Sequence, residues 1–322
     1  MDRRLLALVL ALVLIPAASA QALRAGPVIG VGEQKAGQFT GKAWKRLGLH
    51  DVRYVAPWDA LYVPSQTAAV DAWMNGARRA HARVLLGFQH SLRGHYYATN
   101  LPTVRQFRRA FLRFRARYPW VKDYLVWNEA NNGHSVSKNQ PRRIAQYYNA
   151  VVKRCRGCNI IGADVLDTSN MASWIAKFRA AVKVQPKIWG LHNYVDANHF
   201  WFSGTRKLLK LVRGQIWFTE TGGLVLRRVY NRHHKVVRVY RYGVKRAARA
   251  TQHIFQLACL SPRITRVYLY HWRAPAKVTN WDSGLLTSRG KTRPAYNVVK
   301  KWVARSAQAS RRGGRRALCS GV

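Results

Sequence analysis

Glutamate is almost missing from this chain. Among 322 residues only Glu33, Glu129 and Glu220 occur, and Asp and Glu together number 12 against 56 Lys and Arg. Glu is normally one of the commonest residues of soluble domains, so surface ion pairing is excluded as a general device here. The formal charge of +44 is left uncompensated, and its basic residues run along the whole length and not in one tail. Such a surface repels its own copies and attracts polyanions at low salt. The partners this admits are anionic cell-wall polymers, acidic polysaccharides, anionic lipid surfaces and nucleic acid. Long apolar runs are missing beyond the N-terminus, so no later segment suits a membrane span. Cysteine is sparse at four, a number that suits an exported protein with two disulfides.

What is present is the material of a packed core. Hydrophobic content of 48% and 12 Trp exclude a disordered basic protein. The length is normal for one α/β barrel. Arg3 and Arg4 precede an apolar run from Leu5 to about Pro16, and Ala18-Ser19-Ala20 follows. That is the order of a secretory signal cleaved after Ala20, with an uncleaved N-terminal anchor as the alternative, and it implies a secreted, extracellular or wall-associated protein. The pairings Cys155–Cys158 and Cys259–Cys319 are favoured, although four cysteines allow three connectivities. Cys155-Arg156-Gly157-Cys158 falls at a helix end before a strand, which disfavours a redox role, and no second pair completes a zinc site.

Read in order, strands and helices alternate without a break. Strands are expected at Pro27–Gly32, Asp51–Ala56, Arg83–His90, Val121–Trp127, Asn159–Ala163, Lys187–Tyr194, Gln215–Thr219 and Thr265–Trp272. Between them lie helical patterns such as Val104, Phe107, Phe111 and Phe114 behind the cap residue Thr103. Pro141 opens another helix, where its missing N–H is harmless. Eight such units predict a parallel, closed (β/α)8 TIM barrel of α/β class. A doubly wound sheet would bring a Gly-rich phosphate turn, and Gly30-Val31-Gly32-Glu33 lacks the third glycine. The expected organisation is a signal at 1–20, one barrel domain at 21–308 and a solvated basic tail at 309–322.

Barrel chemistry collects where strands end. Those ends carry Glu33, Arg53 with Trp58 and Asp59, His90, Asn128 with Glu129, His192 with Tyr194, Glu220, and His271 with Trp272. All three glutamates are in that set. Glycoside cleavage needs two carboxyls flanking the bond, one protonated toward the leaving oxygen and one ionised toward the anomeric carbon or a water. Arg53, His192 and Tyr194 are candidate donors around one carboxylate, and Trp58, Trp272 and Trp281 are candidate flat faces for a sugar ring. His90 completes the expected substrate-binding set. His233-His234 lacks a carboxylate or third ligand at workable spacing, so neither a metal nor a cofactor is expected.

On these residues the chain resembles the retaining glycoside hydrolases of clan A. It is similar to the groups around β-xylosidases, α-L-iduronidases and the small catalytic-core glycosidases of microbes and fungi. In that clan an Asn-Glu pair ends strand four and a Glu ends strand seven, as Asn128-Glu129 and Thr219-Glu220-Thr221-Gly222 do here. The resemblance implies Glu129 as acid/base and Glu220 as nucleophile. It also implies Asn128 as partner of the sugar 2-hydroxyl, Tyr194 and Arg53 as supports of the nucleophile, and Trp272 as a sugar platform. Asn128-Glu129-Ala130 departs from the frequent Asn-Glu-Pro, which leaves the subfamily open.

After the seventh strand, Leu224–Tyr242 alternates like a hairpin and carries Arg227, Arg228, Arg232, Lys235, Arg238 and Arg241 without an acid. A solvated charged hairpin is the default reading, and a grip on a uronate-containing or phosphate-decorated glycan is the sharper one. The run Asn198-His-Phe-Trp-Phe202 adds aromatic surface. Carbohydrate is thus the expected partner, and the absence of a nucleic-acid motif argues against that polymer. A catalytically weak binder of wall polysaccharide on the same fold is the competing function.

Overall fold

The computed structural model describes residues 26–94, 99–230, 235–311 and 314–320. The N-terminal signal reading (1–20) and the hairpin tip at 231–234 lie outside the described residues. Eight parallel strands close the expected barrel: β1 (Val28–Gly32), β2 (Asp51–Pro57), β3 (Arg83–Gln89), β4 (Asp123–Leu125), β5 (Asn159–Leu166), β6 (Ile188–His192), β7 (Gln215–Thr221) and β10 (Ile264–Tyr270). Each pairs with its neighbours in chain order, and β10 closes the ring against β1. The basic arm is a hairpin of β8 (Leu226–Tyr230) and β9 (Val236–Tyr240), to which β11 (Trp281–Asp282) adds a third strand.

The helices are α1 (Lys42–Leu47), α2 (Pro64–Arg79), α3 (Val104–Arg117), α4 (Pro141–Val151), α5 (Met171–Ala181), α6 (Tyr194–His199), α7 (Ser203–Leu211), α8 (Val244–Cys259), α9 (Pro294–Arg311) and α10 (Arg315–Cys319). Their faces follow the sequence periodicity. In α3, Phe107, Phe111 and Phe114 are buried and all three rings lie edge-on to Phe88 of β3. Thr103 and Gln106 cap that helix reciprocally, which satisfies two otherwise unpaired N–H groups.

Inside the ring the side chains form layers. Arg266 lies over the Trp217 ring at 3.8 Å and within ion-pair distance of Asp123 and Asp51, neutralising the floor. Leu85, Leu125, Ile161, Ile188, Trp217 and Tyr268 form an apolar cluster. On the C-terminal side of these residues along β5, β6 and β7 stand Asp164, His192 and Thr219, and Arg53 projects from β2; all four are buried.

The tail departs from the sequence reading. Arg315 is buried and donates to the carbonyls of Ala258, Ser261 and Ile264, while Leu318 is 1% exposed. Cys319 of α10 is bonded to Cys259 of α8, and Cys155 to Cys158, the two pairings favoured from sequence. A basic composition hid this because one arginine of the run turns inward to satisfy the carbonyls after α8 and before β10. No helix among the described residues is long and apolar enough to cross a membrane.

Removing Arg315 takes the charged donor from three carbonyls, of which that of Ser261 keeps the Ile264 N–H, and hydrogen bonds from a charged donor contribute about 1.5–3 kcal/mol each at most. Arg315→Ala is therefore expected to lower unfolding free energy in urea by about 2–4 kcal/mol. The neighbouring exposed Arg316→Ala should stay within about 0.5 kcal/mol.

Candidate active site

Two local departures from regular structure create the site. The fourth strand stops at Leu125, and the following residues continue as an irregular edge: Asn128 N–H donates to Phe88 of β3 and Ala130 N–H to Asp164 of β5. Glu129 sits between them with φ of 47°. That left-handed conformation is uncommon outside glycine and clusters at functional positions. The second departure follows β6, where the chain turns at Asn193 and begins α6. Tyr194 thus stands at the head of a short helix and not on the strand, as expected from sequence. Asp167, its carboxyl accepting from Val195 N–H at 3.1 Å and Asp196 N–H at 2.7 Å, pins this turn. Burial raises the Asp167 carboxyl to about 7.

The two glutamates meet above the barrel. One carboxyl oxygen of Glu129, one of Glu220 and a ring nitrogen of His192 all lie within 4.8 Å of one another. Arg53, buried on β2, donates to Glu220 Oε2 at 2.5 Å, and Tyr194 O–H donates to Glu220 Oε1 at 3.0 Å. The second Arg53 nitrogen donates to Asn128 Oδ1 and lies 3.7 Å from Asp164. Glu220 is thereby held by two donors, one of them cationic. Burial, and then the Glu220 charge, push the Tyr194 phenol well above its ordinary range, so it keeps the proton it donates.

Glu129 has different neighbours. Its Oε1 stands 3.0 Å from His192 Nδ1, and its Oε2 accepts from Asn132 at 2.6 Å. His192 is wholly buried, with Nε2 only 2.8 Å from Asp164 Oδ2. Burial alone would lower His192, but the Asp164 and Glu220 charges and the bonds to Asp164 and Glu129 outweigh it and raise it to about 10. Burial would likewise raise Glu129, yet the His192 hydrogen bond and charge, Asn132 and Arg53 bring it down to about 2. The pair shares one proton, which rests on the imidazole. An acid raised by burial alone is therefore not what this site contains. Glu129, His192 and Glu220 resemble a metal-ligand set by type and spacing, but both His192 nitrogens are engaged and Arg53 holds the cationic position against Glu220.

Of these groups Glu129, Asn132, Tyr194 and Glu220 line a cleft of about 800 Å³ whose walls also include Glu33, Lys35, His134, Asp167, His199, Arg227, Tyr240, Tyr270, His271, Arg273 and Trp281. That volume suits a ligand of several rings. Among the predicted site residues, Glu129, Glu220, His192, Tyr194, Asn128 and Arg53 are brought together. Three others are not. Trp272 lies past the end of β10 and is 1% exposed, packed edge-on against Trp44 and beside Tyr296, so its faces are core contacts and not a platform. Trp58 is buried outside the cleft wall, and His90 is exposed at the end of β3 but does not line the cleft. The aromatic wall is Trp281, edge-on to Tyr194 at 4.9 Å and covered in part by Arg227 at 4.5 Å. Sequence reasoning missed Asp164 and Asn132. A lone carboxylate inside the apolar run Ile160–Leu166 was the available signal for Asp164, since an unpaired buried Asp is rare.

Glu129 follows the fourth strand and Glu220 lies near the end of the seventh, the placement by which the sequence resembles clan A glycoside hydrolases. Residues 100–238, which include both glutamates, match the family described as glycosyl hydrolase catalytic core. The fold is similar to that of a GH5_18 protein from Streptomyces cattleya solved with GlcNAc (TM-score 0.63, 14% identity, 90% of this chain and 81% of that one). It is similar too to a monomeric β-xylosidase from Caulobacter crescentus (TM-score 0.59, 14% identity, 87% and 69%). A GH113 β-1,4-mannanase also shares it (TM-score 0.53, 12% identity, 87% and 98%). No curated protein matches the chain.

Gly190 of β6 faces Asp164, where a Cβ would stand 2.2 Å from Oδ1, so the absence of a side chain there admits the carboxylate that charges His192. Asp164→Asn removes that charge. The His192 imidazole, followed by nitrogen NMR, should titrate at least about one unit lower than in the unaltered protein, and an unchanged value would show that Asp164 does not hold the proton.

Proposed function

We propose that the protein is a retaining glycosidase that works outside the cell on an anionic glycan. The observation that carries this reading is that one carboxyl oxygen of Glu129 and one of Glu220 lie within 4.8 Å of each other. Retaining enzymes keep their carboxyls about 5–5.5 Å apart, whereas inverting ones leave about 6.5–9.5 Å for a water. The family match over residues 100–238 supports the reaction class. The signal-like N-terminus supports export, and the charge of +44 supports an anionic substrate.

In this reading a Glu220 oxygen attacks the anomeric carbon while the glycosidic oxygen leaves with a proton from Glu129. Arg53 and Tyr194 keep Glu220 aligned, and the Asn128 amide, its oxygen held by Arg53, turns its N–H₂ toward the sugar. Glu129 then takes a proton from water as that water attacks the glycosyl–Glu220 ester, and Glu220 is released with retained configuration. The proton used in the first step is the one shared with His192. It returns to the pair in the second, so atoms and charge balance over the cycle.

Product anomers followed by NMR should keep the substrate configuration. Glu220→Gln should lower kcat by at least about 10³-fold. Inverted product would reject the mechanism, and binding without turnover in the unaltered protein would favour the wall-binding alternative. The pH dependence has a definite sign. The raised His192 keeps the pair's proton up to about 10, so kcat/KM should fall only as pH climbs through that region. In His192→Asn the buried Glu129 carboxyl alone holds the proton, and the alkaline limb should drop by several units, toward the ~6–7 of acids raised by burial. An anionic substrate further requires that affinity for uronate oligomers fall steeply from low to high salt, and a flat dependence would remove that part of the reading.

A further inference from the structure

Glu33 is the one glutamate outside the chemistry, and its contacts are unusual for a rim carboxylate. It is buried, and its oxygens accept from three backbone N–H groups: Gln34 at 2.8 Å, Lys35 at 3.2 Å and Arg273 at 3.1 Å. Its own carbonyl accepts from the Trp73 indole at 3.0 Å. The carboxylate therefore ties the loop after β1 to the loop after β10. The residues it brings side by side are Lys35 and Arg273, both exposed and both on the cleft wall. Neither has a carboxylate within ion-pair distance among the described residues, whereas Arg53, Arg83, Arg117, Arg266 and Arg293 all do. Of the cleft carboxyls among the described residues, Glu33 is taken by backbone N–H groups, Glu220 by Arg53 and Tyr194, Glu129 by His192 and Asn132, and Asp167 by the Val195 and Asp196 N–H groups.

We propose that Lys35 and Arg273, aligned by the Glu33 clamp, form a subsite for the anionic group of a bound glycan, a carboxylate or a phosphate ester one or more sugars away from the cleaved bond. The inference rests on the glycosidase reading for the position of the sugar chain, but not for the anion contact itself. Two cations fixed by their backbones at the mouth of a cleft attract an anion without first losing loop entropy, and their unpaired state means that no internal ion pair has to break. Lys supplies a point charge and Arg a planar fork, a combination that accepts either anion type.

The test uses Glu220→Gln, which binds without turnover, and calorimetry with three oligosaccharides of matched length: neutral, uronate-containing and phosphate-substituted. The expected result is at least about tenfold tighter binding of one or both acidic ligands than of the neutral one, a preference that falls to near unity when Lys35→Ala and Arg273→Ala are added. The stronger acidic ligand identifies the anion. Replacing the pair with Lys35→Arg and Arg273→Lys should restore most of the preference, which a merely structural defect would not allow. Equal affinity for all three ligands, a preference unaffected by the double alanine change, or no binding of any would each overturn the subsite. If the unaltered protein shows the charge preference but cleaves no glycan, the catalytic reading fails while the subsite stands.

Discussion

The site depends on one buried guanidinium. Arg53 is 1% exposed and touches Glu220, Asn128 and Asp164, so it gathers the ends of β2, β4, β5 and β7 around a single cation. A buried charge is costly unless neighbours compensate it, and here the compensation is reciprocal. The carboxylates make the arginine tolerable, and the arginine allows Glu129, Asp164 and Glu220 to crowd together. Asp164 carries the same logic to β6 by charging His192, whose imidazole in turn stands against the Glu129 carboxylate. The two glutamates are chemically alike, and their neighbours divide the work between them. Two donors hold Glu220, while a cationic acid stands beside Glu129.

The scarcity of acids takes on structural meaning once each described one is located. Asp51 and Asp123 neutralise Arg266 in the barrel floor. Asp282 receives both Arg293 nitrogens and the Gly284 N–H, which fixes the loop that presents Trp281. Asp167, Asp196 and Glu33 accept backbone N–H groups at turns, and Asp59 accepts from Ser91. Asp71, bonded to Arg117 and Tyr118 on the barrel exterior, and Asp51, which also takes the half-exposed Arg83 in a two-pronged pair, come nearest to ordinary surface ion pairs. Acids were kept where a buried or half-buried partner needs them, and the outer surface is left almost wholly cationic. Lys35 and Arg273 on the cleft wall continue that cationic surface, so under the proposed function attraction of a polyanion and its orientation at the bond are one electrostatic property.

Much of this could be read along the chain. Alternating strand and helix patterns determined the barrel, because period-2 and period-3.6 burial are properties of consecutive residues. Asn128-Glu129 and Glu220 were legible for the same reason: each polar group abruptly ends an apolar strand. Other features are set by residues distant in sequence. Trp272 became core because Trp44 and Tyr296, far away along the chain, close over it. Arg315 turned inward because three carbonyls near residue 260 converge on its guanidinium. Tyr194 left its strand because Asp167 captures the N–H groups that follow it.

The sequence by itself determined the number and order of the barrel elements, the identity of the two carboxyls and the sign of the surface charge. Those are consequences of local pattern and composition. Only the tertiary structure decided which carboxyl is paired with Arg53 and which with His192, that Glu33 serves the backbone, and that Trp281 and not Trp272 walls the cleft. Each of these depends on distances between residues from different strands, and a closed ring brings such residues together at separations that no sequence spacing encodes.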